Sequence, residues 1–163
     1  LRLQGMAVQG QVLDFGGGIG THALSAAALS EVDHVWFVDL NPHNQAFVQQ
    51  RAESLGLADK LSVHRDLSST GDVRFDAVVC LDVLEHLPDP SAQLLEFHQR
   101  MAPGAIALLN WYFFKGHQGE YPFHFDDPAL VDGFFRTLQA QFLEVFHPLL
   151  ITARLYRSLD GSD

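Results

Sequence analysis

Cysteine is nearly absent: Cys80 is the only one in 163 residues, so no disulfide can form within the chain. That usage fits a reducing compartment, and a cytoplasmic location is expected. Positive charge is also scarce. Ten Lys and Arg stand against twenty Asp and Glu, for a net charge of −10 with histidines neutral. Nucleic-acid affinity comes largely from clustered Lys and Arg, so this balance argues against a broad phosphate-binding surface and against nucleic acid as partner. No apolar run approaches about eighteen residues, so no transmembrane helix and no membrane partner are expected. No basic stretch precedes an apolar one in the manner of a signal peptide. A Ser-His-Asp spacing, a C-x-x-C pair and a P-loop lysine are missing as well. What remains is a globular composition, 47% apolar and 18% charged, in a length that suits one domain over residues 1–163 with a polar tail at 158–163.

The stretch Val12 to Thr21, VLDFGGGIGT, organises the rest. Val12, Leu13 and Asp14 suit a buried strand. Gly16, Gly18 and Gly20 then turn the backbone with no Cβ in the way. Thr21 opens an alanine- and leucine-rich helix to Leu29, whose first N–H groups face the turn. Strand, glycine turn and helix begin a βαβ unit. The spacing is D-x-G-x-G-x-G and not the dinucleotide fingerprint G-x-G-x-x-G. This stretch resembles motif I of the class I S-adenosylmethionine (SAM)-dependent methyltransferases, in which the loop wraps the methionine part of SAM.

Further along, Val32 to Asp39 reads as a strand buried on both faces. Asn41-Pro42 starts a helix to about Leu55, with Gly56 as its stop. Lys60 to His64 and Phe75 to Leu81 read as strands three and four. Ser91 is expected to cap a helix to about Met101, Pro103-Gly104 to turn, and Ala105 to Trp111 to form strand five. Tyr112 to Pro128 reads as a long loop, and Ala129 to Ala140 as a helix. Phe142 to His147 and Leu149 to Arg157, joined at Pro148, read as an antiparallel hairpin at a sheet edge. Alternating strands and helices imply a doubly wound α/β sandwich of three layers. The sheet is expected to be mostly parallel and seven-stranded, ending in the antiparallel hairpin, which is a further resemblance to the methyltransferase fold. The chain starts about ten residues before the first strand, where that family usually has one or two helices. A fragment, a trimmed chain and a minimal enzyme all fit that start.

Ligands of open α/β sheets sit at the carboxyl ends of the strands. Strand one ends in Asp14, Phe15 and the glycines, and strand two in Asp39 and Leu40. An acid at position 39 can accept hydrogen bonds from two ribose hydroxyls, and in the family it does. The resemblance makes Asp66, after strand three, the acceptor of the adenine amino group, with the Leu67 N–H meeting the ring. Phe15 and Leu40 are expected as apolar walls. Leu81 and Asp82, after strand four, are expected beside the sulfonium. The segment Leu81 to Leu87 is similar to the VLEHL segment of small-molecule methyltransferases. His86 is a candidate general base, and Tyr112, His117, Tyr121 and His124 are candidates to line an acceptor pocket. The resemblance implies methyl transfer from SAM to a small-molecule acceptor, releasing S-adenosylhomocysteine. Asp82-x-x-Glu85-His86, with His117 or His124, is also similar to the metal-binding pattern of small-RNA 2′-O-methyltransferases. Asp82 replaces that pattern's first Glu and the chain is acidic, so no bound metal is expected.

Overall fold

The structure, a computed structural model, describes residues 8–148 and 150–159. Its seven strands are β1 (Gly10–Phe15), β2 (Val32–Val38), β3 (Leu61–His64), β4 (Phe75–Cys80), β5 (Met101–Leu109), β6 (Phe142–Val145) and β7 (Arg154–Ser158). They form one sheet in the order β3-β2-β1-β4-β5-β7-β6. β1 to β5 pair in parallel, while β7 is antiparallel to both β5 and β6. The expected hairpin therefore exists, with β7 inserted between β5 and the edge strand β6.

Side chains alternate across the strands and supply two cores. On β1, Val12 packs with α1 (Thr21–Ala27) and α2 (Pro42–Ser54) through Ala23, Leu24, Val48 and Ala52. Leu13 faces the opposite side, with Leu94 and Phe97 of α3 (Pro90–Arg100) and Phe134 and Leu138 of α4 (Pro128–Gln141). Both strand residues have no exposed surface, as a sheet covered on both faces requires. α2 starts as its residues dictate: the Asn41 side chain accepts from the His43 N–H, Pro42 is the first helical residue, and Gly56 follows at φ 69°.

Several boundaries differ from the sequence reading. α3 is capped by Asp89, whose side chain accepts from the Ala92 N–H, and not by Ser91. Pro90 occupies the first turn, where its missing N–H costs nothing. The Pro103-Gly104 turn lies inside β5 as a bulge: the register jumps from Phe75↔Met101 to Ala77↔Ile106. β5 then stops at Leu109, so Asn110 and Trp111 leave the sheet. α1 ends at Ala27 and not at Leu29. β6 ends at Val145 and β7 begins only at Arg154, because the chain must cross back before it can pair with β5. Leu149 and most of the expected tail lie outside the described residues. Among the described residues no helix is long and apolar enough to cross a membrane.

Candidate active site

Two cavities open at the carboxyl ends of the parallel strands, and both are lined by Gly16. The first, of about 510 Å³, lies beside Phe15, Asp39, Leu40, Asp66 and Leu67. The second, of about 520 Å³, lies beside Asp14, Gly18, Leu81, Asp82 and Asn110. All eleven residues expected to hold a cofactor thus line one cavity or the other, save Gly20.

Gly20 acts from behind. It is the N-cap of α1, in the left-handed region at φ 73°, and a Cβ there would strike Val48 of α2 at 2.5 Å. Gly18 is different. Its φ is 56°, yet a Cβ would meet no protein atom within 4 Å. The space it leaves belongs to the cavity, so a side chain there would take up ligand volume.

The acids fall into distinct environments. Asp14 is buried below the loop, and its carboxylate accepts from the Ala23 N–H of α1 at 2.9 Å. Burial pushes its carboxyl up to about 7, against the Ala23 hydrogen bond and with a further push from Asp39. Asp39 fastens the glycine loop to the end of β2: it accepts from the Gly18 N–H at 2.9 Å, the Asn41 N–H at 2.8 Å and Asn44 Nδ2 at 3.3 Å. An ionised carboxylate has about four acceptor positions, so three bonds leave capacity toward the cavity. Asp66 is exposed and caps the short turn Leu67–Thr70, accepting from Ser68 Oγ at 2.6 Å and the Ser69 N–H at 3.1 Å. The Ser68 hydroxyl, followed by Ser69, lowers its pKa. Capping uses one oxygen, Oδ1, while the residue still lines the first cavity.

Asp82 sits at φ 56°, the one non-glycine at positive φ among the described residues. Asn110 holds it there. The Asp82 N–H donates to Asn110 Oδ1 at 2.5 Å, and Asn110 Nδ2 donates to Asp82 Oδ1 at 2.8 Å. Sequence reasoning noted Asn110 only as the end of strand five. It also missed Arg65, Gln93 and Glu96 in the first cavity, and His22 and Thr152 in the second. Arg65 adjoins Asp66 and was within reach of a strand-end reading. Thr152 arrives from the connection between β6 and β7 and has no local signal. Burial holds the His22 imidazole below its ordinary range. With Asp14, Asp39, Asp66, Asp82 and Glu96 around them, against Arg65 as the one strong cation of the walls, the paired cavities suit a cationic ligand.

His86, Tyr112 and His124 come together, though not on the cavity walls. The His86 and His124 rings meet edge to face at 4.7 Å, and Tyr112 meets His124 at 5.8 Å. Tyr121 stacks on His124 at 5.0 Å. The segment after β5 is joined to the turn Leu84–His86 by the Phe125 N–H, which donates to the Glu85 carbonyl at 2.8 Å. His117 packs instead against Phe114, at 5.2 Å.

This geometry has known counterparts. A family model described as a methyltransferase domain matches residues 3–131. A ubiquinone biosynthesis O-methyltransferase of Psychrobacter arcticus is 34% identical over 104 residues, 61% of this chain and 40% of that protein. The chain therefore spans well under half the length of that curated relative. A putative rRNA methylase from Clostridium thermocellum shares the fold at TM-score 0.71 and 18% identity, over 96% of this chain and 92% of that one. An O-methyltransferase from a polyketide synthase multienzyme of Brevibacillus brevis, solved with S-adenosyl-L-homocysteine, superposes at TM-score 0.58 and 21% identity, over 69% of this chain and 38% of that one. With its glycine loop, its strand-end acids and a family match over most of its length, the chain belongs to the methyltransferase domain family, of the SAM-dependent, Rossmann-like kind.

Proposed function

We propose that the chain binds SAM across the glycine loop and transfers its methyl group to an oxygen of a small-molecule acceptor, releasing S-adenosylhomocysteine. The observation that carries this is the pair of cavities that meet at Gly16 under acidic walls. Adenosine takes the first: Phe15, Leu40 and Leu67 supply apolar walls, Asp39 accepts from ribose hydroxyls, and Asp66 Oδ2 accepts from the adenine amino group. The methionine part takes the second, along Gly18, where the open space and the Asp14 and Asp82 carboxylates suit its positive charges.

SAM supplies the electrophile. The acceptor oxygen attacks the methyl carbon, the carbon–sulfur electron pair goes to sulfur, and the acceptor proton leaves to a base or to water. The chain's part is to hold the two reactants in line. His86, Tyr112 and His124 form the acceptor side of this reading, with His86 able to take the proton. Oxygen as the acceptor atom is supported by the O-methyltransferase relative, and a small-molecule acceptor by the acidic balance of the chain. Calorimetry with SAM tests binding, and formation of S-adenosylhomocysteine with a panel of hydroxyl-bearing acceptors tests transfer. Binding without any turnover across the panel would leave a SAM-binding domain and sink the transferase reading. Turnover only with RNA would sink the small-molecule acceptor.

A further inference from the structure

On the face of the sheet opposite α1 and α2, β2 and β3 carry titratable groups that line neither cavity. His34 and Trp36 of β2 lie beside Ser62 and His64 of β3, in the register Trp36↔Ser62 and Val38↔His64, and all four residues are half-buried. Trp36 stacks on the His64 ring at 5.2 Å and meets His34 edge to face at 5.0 Å. Its indole N–H donates to Gln11 Oε1 at 2.8 Å, which fixes the ring between the two imidazoles.

The hydrogen bonds of this group fix where its protons sit. Ser69 Oγ donates its one proton to the Asp66 carbonyl at 2.6 Å, and lies 3.4 Å from His64 Nδ1. Nδ1 is therefore the donor of that pair. In the neutral ring Nε2 then keeps a lone pair, and it accepts from the Ser62 hydroxyl at 2.8 Å. With its proton spent, Ser62 Oγ accepts from His34 Nε2 at 2.9 Å. One relay thus runs from His34 through Ser62, His64 and Ser69 to Asp66, whose Oδ1 also accepts from the Ser69 N–H at 3.1 Å.

A second proton on His64 breaks this relay. Nε2 would then donate toward Ser62, which already faces the His34 N–H and must turn its own proton away. The charged groups that act on His64 are His34 from β2, if it too is protonated, and Asp66 from the turn after β3. An imidazolium attracts the Asp66 carboxylate and leaves it less able to accept from a ligand. Burial holds the His64 imidazole below its ordinary range, while Ser69 and Asp66 push it back up. The Ser68 hydroxyl, followed by Ser69, keeps the Asp66 carboxyl low, so Asp66 stays ionised while His64 titrates.

We propose that His64 is a positioning residue for the turn that bears Asp66, and that its protonation draws Asp66 away from the first cavity and weakens adenosine binding at acid pH. The effect on adenosine rests on the placement of adenosine given above; the relay itself does not. Adenosine is the probe, because it is confined to the first cavity, away from Asp14.

Calorimetry is expected to show adenosine binding about threefold to tenfold more weakly at pH 5 than at pH 7.5, the scale of one hydrogen bond. His64→Asn keeps a donor near Ser69 and cannot titrate, so it should bind as the parent does at pH 7.5 and stay level down to pH 5. An NMR titration should show the Ser69 amide signal following the His64 imidazole. Ser62→Ala removes a donor to the neutral ring, so it should move that titration to higher pH. Parent affinity that is level with pH, a parent-like fall in His64→Asn, or a Ser69 amide indifferent to the imidazole would overturn the proposal. A Ser69 amide that follows the imidazole, with no adenosine binding at any pH, would support the relay and overturn the placement of adenosine.

Discussion

The glycine-loop half of the site and the aromatic half, residues 112–127, are built on opposite plans. In the first, short local signals meet a rigid frame: Asp14 is buried, Asp39 is 9% exposed, and the Gly16 N–H donates to the Val38 carbonyl at 2.7 Å. The backbone itself shapes the ligand space. In the second, no strand or helix runs through the segment, and Phe113 alone of its Phe and Tyr side chains packs on the core while the others are exposed, Phe123 at 81% and Tyr112 at 49%. Side chains there meet one another: Tyr112, Phe114, Tyr121 and His124 form a chain of ring contacts. A cofactor common to a family can be held by the backbone and the sheet. In the proposed reading the other reactant is left to side chains on a loop, where residues can be exchanged without disturbing the sheet.

The sharpest way to break this contrast is Gly18→Val. The position has positive φ and faces open space, so a branched side chain is strained and fills the methionine cavity. SAM binding should vanish in calorimetry while the fold persists; affinity within a few-fold of the parent would mean that the loop does not wrap the cofactor.

Next in size is the titration of Asp14. Its folded pKa of about 7 lies above the ordinary 3.8, so the folded state holds a proton that the unfolded state has lost. That contribution is complete below about pH 4, disappears as pH rises through 7, and is on the order of 4 kcal/mol. Parent stability should fall from pH 5 to 7 relative to Asp14→Asn in paired denaturation curves. A difference that stays level with pH would refute the assignment. Because SAM carries positive charge, its binding should tighten from pH 6 to 8 in the parent and less so in Asp14→Asn.

Asp39→Ala removes a charged acceptor from the first cavity and frees the Gly18 N–H. A charge-assisted bond contributes about 1.5–3 kcal/mol, so SAM should bind roughly 10–150-fold more weakly. Unchanged affinity in a folded variant would take Asp39 out of the site.

The smallest effect is expected at the seam between the two halves. Asn110→Ala removes both bonds that keep Asp82 at positive φ, a conformation that costs about 1–3 kcal/mol when unsupported. Adenosine binding, confined to the first cavity, should be unchanged, while SAM binding weakens several-fold. Equal losses for both ligands would show that Asn110 acts on the fold and not on the second cavity.

Much of the frame was legible because its signals are short and local. Apolar runs mark strands covered on both faces, as at Val35–Val38. Asn41-Pro42 and Gly56 bracket a helix through capping and positive φ, and the D-x-G-x-G-x-G spacing marks a backbone turn. Cap choice was less legible where two candidates compete: at α3, Asp89 is correctly placed before Pro90, and Ser91 is already inside the first turn. The Pro103-Gly104 pair signals a turn, but pairing with β4 absorbs it as a bulge.

The chain's own residues determined the strand and helix alternation, the glycine loop and the three acids at the ends of β1, β2 and beyond β3, since each depends on neighbours a few positions away. Tertiary structure alone decided that Asn110 locks Asp82 across 28 residues. It also decided that Thr152 reaches the second cavity, and that His124 and not His117 joins Glu85 and His86. Those contacts arise when separate strand ends and loops converge on one edge of the sheet. Spacing along the chain carries no record of that convergence, because it depends on strand order and loop path.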